Sequence, residues 1–471
     1  MVLKLRELWL HKASRIKRLW YRIKRFKYFE LIVLTSIVII GFLVYMNKQL
    51  SSPLLFGIDG PYYYIQVRSL IESGNLKYLD PPLAFYILTG FSLLLNNIVL
   101  GIKVGSVLVV LTTTYILYYL VKNMTKSSFG GLIASILFIF SPYLTRMSFD
   151  LIKNAMGLLF LSLTFLLVHY AVKKYSYRYA LLASVSIILT GLTHIIDFGL
   201  ALAFLWIYLL FLIRDKRRTI LLIPCVISIA MLILGFSVPL IMGYDPYKGI
   251  LFVEDLVKNK NLPMKNFPLI EVLRLTVYPL CIGIAGISLA IRNEFSNYID
   301  KIMLLIFSIL IILLNIPFIP LQYLWRFNLM SAILSPIILG VLIGLIKDLR
   351  IGIALSIILL GMFIPQFILQ INMIRPSISL REYEEIQQLI YRIPNDTIII
   401  APNTKLRYWI ETIYPDVVKS LKDISMSRNP MVLVFERHEL RKPPLPPKAK
   451  PLFIGRYIEA YILPPKRFYE S

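Results

Sequence analysis

Apolar runs long enough to cross a lipid bilayer recur along the whole sequence, and they fix what the chain can be. They lie at 31–46, 98–121, 128–145, 151–172, 179–196, 198–213, 219–242, 269–291, 302–319, 327–346 and 351–373. A helix rises about 1.5 Å per residue, so each run is close to the roughly 20 residues that cover about 30 Å of hydrocarbon. With 58% hydrophobic residues and a mean hydropathy of +0.72, an ordinary soluble domain is excluded. The expected class is a polytopic α-helical membrane protein of about eleven transmembrane helices.

The charge then sets the topology. A formal charge of +25 on a soluble domain would point to nucleic acid, but here it sits in the N-terminal tail and in short loops between spans, so no nucleic-acid partner is implied. Residues 1–29 carry ten Lys and Arg against Glu7, with Glu30 next, a block that stays cytoplasmic. Leu19, Trp20, Ile23 and Phe26 interleave with Arg15, Arg18, Arg22 and Arg25 at helical spacing, which fits either an orientation signal alone or a helix lying on an anionic leaflet. No small-residue cleavage site follows 31–46, so it reads as an anchor. Basic connections at 122–126, 173–178, 214–218, 292–301 and 347–350 all fall inside if the spans alternate. A crossing at 82–97 would invert every one of them, so that apolar run is expected to lie along the outer interface or to re-enter the membrane. The N-terminus is then cytoplasmic and the C-terminal region, 375–471, extracytoplasmic, with a transmembrane domain over 30–374.

Between the first two spans lies a polar, aromatic, proline-punctuated loop, 47–97. Within it Pro61 suits the opening turn of a helix. Tyr63, Val67, Leu70 and Ile71 share an apolar face, Arg68 and Glu72 are spaced i, i+4, and Gly74-Asn75 ends the helix. Asp59 stands just before it, either as the helix N-cap or as a general base.

The predicted outer face collects further ionisable groups: Arg68, Lys77, Asp80, Lys103, Arg146, Asp150, Lys153, His194, Asp197, Tyr244, Asp245, Lys248, Glu271, Arg274 and Arg326. Such groups beside hydrocarbon normally face a protein interior or a wet cavity. Lys103 either snorkels to the headgroups or binds substrate. Arg146 and Asp150 are spaced to pair at i, i+4, and Glu271 is expected to pair with Arg274. His194 and Asp197, at i, i+3, fit a hydrogen-bonded turn, a contact to an acceptor or half of a metal site; two ligands alone hold no metal. Arg326, after Tyr323-Leu324-Trp325, is an interface anchor or a phosphate ligand.

An acid after the first span, an amphipathic helix ending in Glu72-Ser73-Gly74-Asn75-Leu76, then Pro81-Pro82-Leu83 with aromatics behind it, resembles the GT-C superfamily of membrane glycosyltransferases. The likeness is greatest to the dolichyl-phosphate-mannose protein mannosyltransferase and lipid A aminoarabinose transferase group, spans roughly residues 30–200, and includes Phe140-Ser141-Pro142 with Asp150 downstream. The resemblance implies that Asp59 is the catalytic acid of the first loop, that this loop forms helices on the membrane, and that the donor is a sugar on a polyprenyl phosphate. It also implies a phosphate-binding Arg near position 326. Gly60 stands where a second adjacent acid would, and Asp80 where the family has a basic residue or histidine. No WWDYG-like segment occurs, which argues against transfer of whole glycans to asparagine.

The expected activity is therefore inverting transfer of a sugar from a polyprenyl-phosphate donor to an acceptor hydroxyl or amine, on a lipid or protein glycan acceptor, at the outer face. Displacing a polyprenyl phosphate needs no strong acid because the leaving phosphate is already a stable anion, and one carboxylate to take the acceptor proton suffices. Asp59 fills that role; Arg326, Lys103, Arg146, Asp80, His194, Asp197 and Arg68 are the expected substrate contacts. No cofactor is implied, and a divalent metal is compatible. A transporter or flippase of lipid-linked sugars would also need a polar cavity, with ionisable groups near the midplane and internal repeats; a non-catalytic assembly factor leaves Asp59 unexplained. Few Cys and His beside abundant Ile, Lys and Tyr match a thermophilic archaeal composition.

Past 375 the pattern changes to a small α/β domain: helix at 381–392, strand at 397–401, helix at 406–413, strands at 431–436 and 457–463, and a stiff proline-rich loop at 442–451. It serves either as a cap over the cavity or in acceptor binding. His438 is read as a surface residue.

Overall fold

In a computed structural model, residues 28–237, 254, 269–292, 295–394, 396–419, 430–438, 445 and 449–463 are described. The basic tail to residue 27, Tyr244, Asp245, Lys248 and most of 442–451 lie outside them.

The membrane part is a helical bundle in chain order: α1 (Phe29–Leu50), α2 (Gly60–Ser73), α3 (Leu83–Leu94), α4 (Ile98–Thr125), α5 (Ser128–Ile139), α6 (Pro142–Asp150), α7 (Ile152–Lys174), α8 (Tyr177–Thr193), α9 (Ile195–Phe211) and α10 (Arg218–Ser237) come first. Then follow α11 (Leu269–Ile291), α12 (Tyr298–Leu314), α13 (Leu321–Leu329), α14 (Ser331–Leu345) and α15 (Leu349–Met373). Six of these are long and apolar enough to span a membrane, and eight spans result if each of two bent pairs counts as one. The apolar helices α8 and α9 and the helix α12, each 17 residues long, lie at the low end of spanning length. With them, the helices account for every apolar run read from the sequence. Helix α3, at 12 residues, rises only about 18 Å and does not cross.

The first bend has a chemical cause, and the second is braced by a polar network. Between α5 and α6 the axis turns by 49° at Pro142, which has no N–H to continue the ladder. Ser141 caps the new helix by accepting from the Leu144 amide. The freed carbonyl of Ile139 accepts the buried Tyr45 hydroxyl at 2.9 Å. Between α13 and α14 the turn is 43°. There Asn328 donates to the Leu275 carbonyl at 2.8 Å and to Asn315 at 2.7 Å, a satisfied polar network in a buried setting.

Polar groups gather at two opposite ends of the bundle. At one, Glu30 binds Lys122, Tyr118 and Ser128, and Lys173 reaches the fully buried Asp300 at 2.7 Å beside His169. Arg217 and Asp215 both meet Tyr298. All these come from connections predicted to share one side. Of the residues predicted for the other side, Asp80, Asp150, Lys153 and Arg326 come within electrostatic reach of Asp59 at the opposite end.

The last helices and strands are α16 (Leu380–Arg392), β1 (Ile398–Ile400), α17 (Thr404–Glu411), β2 (Val417–Val418), β3 (Met431–Glu436), β4 (Lys450–Ile454) and β5 (Ile458–Leu463). They form a five-stranded sheet in the order β2-β1-β3-β5-β4. β1 pairs parallel with β2 and β3, while β5 runs antiparallel to β3 and β4. Parallel β1 and β3 bury Ile399, Val432 and Val434 against Ile386, Leu389 and Trp409 of the two helices. Two strands were not expected: β2 is only two residues, and β4 begins inside the proline-rich 442–451, where Pro451 tolerates an edge position.

This small unit docks on the loop between α1 and α4. Leu54 joins its core. Arg68 donates to the carbonyls of Thr412 at 2.7 Å and Glu411 at 2.9 Å, the open end of α17, where cations are favoured. The fully buried Glu411 carboxylate takes Lys77 at 2.7 Å and the Tyr78 hydroxyl at 2.6 Å. Lys77→Met leaves that buried carboxylate short of its charged partner. We expect a loss of about 1–3 kcal/mol in the docking, measured as a lower thermal transition in detergent and faster proteolysis between α15 and α16.

Candidate active site

Asp59 immediately precedes α2, yet its carboxylate makes no capping hydrogen bond; Pro61 in the first turn removes one of the donors a cap would satisfy. The N-cap role allowed by the sequence is not realised. Among the described residues no donor lies within hydrogen-bonding distance of this half-buried carboxylate. Its pKa is pushed up to about 6, first by burial and then by the nearby Asp150 charge, against the pull of Lys153 and Arg326. Such a group is poised to take a proton near neutral pH.

The backbone that carries Asp59 is held from two sides. The Ile58 amide donates to Asp150 Oδ1 at 2.8 Å, and the Gly57 amide donates to the Arg375 carbonyl at 3.2 Å. Asp150 thus serves the loop, not Arg146, and the expected Arg146–Asp150 pair does not form. Gly57 adopts φ +73°, and a Cβ there would fall 2.1 Å from Asp150 Oδ1.

Beneath α2, Gln66 donates to Tyr62 Oη at 3.0 Å and to the Tyr78 carbonyl at 2.8 Å, and Tyr62 donates to Asp80 Oδ2 at 2.6 Å. The same Asp80 oxygen binds Lys153, whose ammonium also sits 5.6 Å from the Tyr62 ring and 5.5 Å from Phe85. The sequence placed Lys153 on this face without assigning it a contact; its position in the first turn of α7, one turn from Asp150, was the available signal. Tyr408 of α17 packs against Tyr62 in a tilted pair, 5.5 Å between ring centres, and lies within electrostatic reach of Asp59, so the C-terminal unit forms one wall of the site.

Arg146 and Arg326 converge on a single indole. Their guanidiniums lie 4.9 and 5.3 Å from the Trp325 ring centre, a geometry that attracts cations to the ring face. Both are exposed, and among the described residues neither has a carboxylate partner. An apolar cavity of about 280 Å³ is lined by Leu200, Ala203, Leu310, Leu314 and Phe327, the residue after Arg326 in the chain.

The remaining predicted contacts are placed as follows. Lys103 is buried, donates to the Ser52 carbonyl and lies 5.9 Å from the Phe56 ring, bracing the segment that leads to Asp59; it does not snorkel outward. Arg68 is committed to α17. His194 Nδ1 is 2.9 Å from Asp197 Oδ2, the hydrogen-bonded turn expected from their spacing. Glu271 and Arg274 are both exposed and do not pair with each other. No three His, Cys, Asp or Glu converge on a metal position among the described residues.

Compared with known families, residues 80–242 match the model described as dolichyl-phosphate-mannose-protein mannosyltransferase, about a third of the chain. No curated protein matches by sequence. Among solved structures, the archaeal oligosaccharyltransferase AglB from Archaeoglobus fulgidus, in complex with an inhibitory peptide and a dolichol-phosphate, aligns with a TM-score of 0.55 and 15% identity. That match covers 82% of this chain and 64% of AglB, so the chain spans less than two thirds of that protein. ArnT from Cupriavidus metallidurans, in the apo state, aligns with a TM-score of 0.56 and 11% identity over 92% of this chain and 97% of ArnT.

The two positive-φ glycines separate strain from crowding. Gly74, φ +74°, has open space around its missing Cβ, so Gly74→Ala should lower stability by about 1 kcal/mol. Gly57→Ala adds a collision with Asp150 to the same backbone penalty and should lower the thermal midpoint several degrees further. Equal midpoints for the two variants would mean the segment before Asp59 moves freely.

Proposed function

We propose that this chain, which has the architecture of the GT-C membrane glycosyltransferases, moves a sugar from a polyprenyl-phosphate donor to an acceptor hydroxyl or amine with inversion at the anomeric carbon. The observation that carries the reading is a half-buried Asp59 carboxylate that makes no hydrogen bond among the described residues and lies within electrostatic reach of Arg326, whose guanidinium shares the Trp325 indole with Arg146. The family match over 80–242 and the two fold matches point the same way. The positive-inside bias puts this end of the bundle, and the C-terminal unit with it, on the extracytoplasmic side.

In this mechanism the acceptor oxygen or nitrogen attacks the anomeric carbon while its proton passes to Asp59. The bond from that carbon to the donor phosphate breaks, and its electron pair leaves on the phosphate oxygen. Arg326, with Arg146 beside it, holds the resulting polyprenyl phosphate at headgroup level; a planar guanidinium suits two phosphate oxygens at once. The prenyl chain lies in the cavity lined by Leu200, Leu310 and Phe327. Lys153, tied to Asp80, keeps a positive charge near Asp59 and tempers its basicity. Lys103 positions the loop, and His194 with Asp197 contributes to the wall on the α9 side.

The test is transfer of labelled sugar from a panel of polyprenyl-phosphate donors by the purified chain. Asp59→Asn should lose at least about 100-fold in turnover, the usual share of a general base, with the thermal transition retained. Arg326→Ala should raise the KM for donor more than it lowers kcat. Full turnover in Asp59→Asn, or movement of intact donor across a vesicle without transfer, would replace this reading with a carrier.

The pH profile gives a second check. Asp59 must be ionised to accept a proton, and its pKa is raised to about 6 by burial and Asp150, so kcat/KM should rise as pH passes upward through about 6. Asp150→Asn removes the like charge while keeping an acceptor for the Ile58 amide, so the rising limb should move to lower pH. Lys153→Met removes an opposing charge and should move it higher.

A further inference from the structure

The end of the bundle opposite Asp59 holds a second cleft, of about 570 Å³, between the last turn of α11, the end of α14 and the start of α15. Its volume is within the roughly 300–1,000 Å³ of small-ligand sites. Leu289, Leu342, Leu345 and Ile351 make an apolar wall, and Arg292 and Lys347 stand at its rim. Both cations are exposed, and among the described residues neither has a carboxylate partner. Asp348, the one acid among the described lining residues, caps α15 by accepting from the Arg350 amide at 2.8 Å; the Ser288 hydroxyl is spent on the Ile284 carbonyl at 2.9 Å.

The chemistry of an occupant follows from that lining. Two cations and one capping carboxylate leave a single net positive charge over a hydrocarbon-lined trough. A free inorganic anion would find no use for the apolar wall, and a neutral lipid none for the two cations. A chain-bearing phosphodiester satisfies both. Basic clefts between membrane helices at the cytoplasmic surface are where acidic headgroups are held, and the positive-inside bias assigns this end to that surface.

We infer that the cleft is a binding site for an anionic phospholipid from the adjoining leaflet, its phosphodiester held by Arg292 and Lys347 and its first methylenes lying along Leu289, Leu342, Leu345 and Ile351. The inference does not depend on the reaction at Asp59, because the site lies at the other end of the bundle and its readout is lipid retention.

Native mass spectrometry of the full chain, purified in detergent and equilibrated with equimolar phosphatidylglycerol and phosphatidylcholine, tests this directly. The expected result is one phosphatidylglycerol retained in preference to phosphatidylcholine. Arg292→Ala/Lys347→Ala should cut that preference roughly tenfold or more, since each cation near the headgroup plane contributes substantially. Leu289→Trp keeps both charges but fills the trough and should cut it as well. Arg178→Ala/Arg214→Ala, which removes the same charge from exposed positions at the same end, should leave it unchanged. Equal retention of the two lipids by the unaltered chain overturns the site, as does an equal loss in the Arg178/Arg214 control. Retention undiminished in Leu289→Trp reduces it to diffuse surface charge and overturns it too.

Discussion

A charge placed in hydrocarbon is so unfavourable that the whole arrangement of this chain can be traced to avoiding it. Some fifty basic and half as many acidic side chains must be accommodated around helices that are otherwise apolar. The bundle does so by sorting them to its two ends, where they find partners: Glu30 with Lys122, Asp300 with Lys173, Asp80 with Lys153, Glu411 with Lys77. Among the described residues several charges have no ion-pair partner, and those that line a cleft or a cavity wall matter most: Arg146 and Arg326 at the end where Asp59 makes no hydrogen bond, Arg292 and Lys347 at the other. The proposed reaction and the proposed lipid site both rest on these exceptions, because an unneutralised charge held in place is what a ligand of opposite sign or a transferable proton can use.

Helices and their order were legible in the sequence because lipid imposes a length and an apolar composition that no other environment demands. The same constraint explains why 82–97 could be kept out of the span count: the basic loops set a parity, and the 12 residues of α3 agree with it. The α16, β1, α17, β3 and β5 segments were readable for a more ordinary reason, the alternation of apolar runs with turn residues. What escaped was anything decided by partners far apart in the chain. Strand β2 has two residues and exists only because β1 lies beside it. Strand β4 begins at a proline-rich stretch that composition assigns to a loop.

The candidate site shows the same division. That Asp59, Asp150, Lys153 and Arg326 share a face followed from topology. Which of them pair did not, since i, i+4 spacing favoured Arg146 with Asp150 and Glu271 with Arg274, whereas tertiary contacts gave Asp150 to the Ile58 amide and turned Arg146 to Trp325. Arg68, expected as a substrate contact, clasps the end of α17. No local pattern could reveal that its partners lie more than 340 positions away. Tyr408 became part of the site for the same reason.

The clasp also sets an order of events in biosynthesis. The segment bearing Asp59 leaves the ribosome early, but its Gly57 amide waits for the carbonyl of Arg375, and Arg68, Lys77 and Tyr78 wait for residues 411–415. A nascent chain that has threaded all its helices into the membrane still lacks the wall supplied by α17. The wall of the candidate site beside Asp59 is therefore completed only after every membrane helix has been made, by residues that pack onto a loop synthesised more than 300 positions earlier.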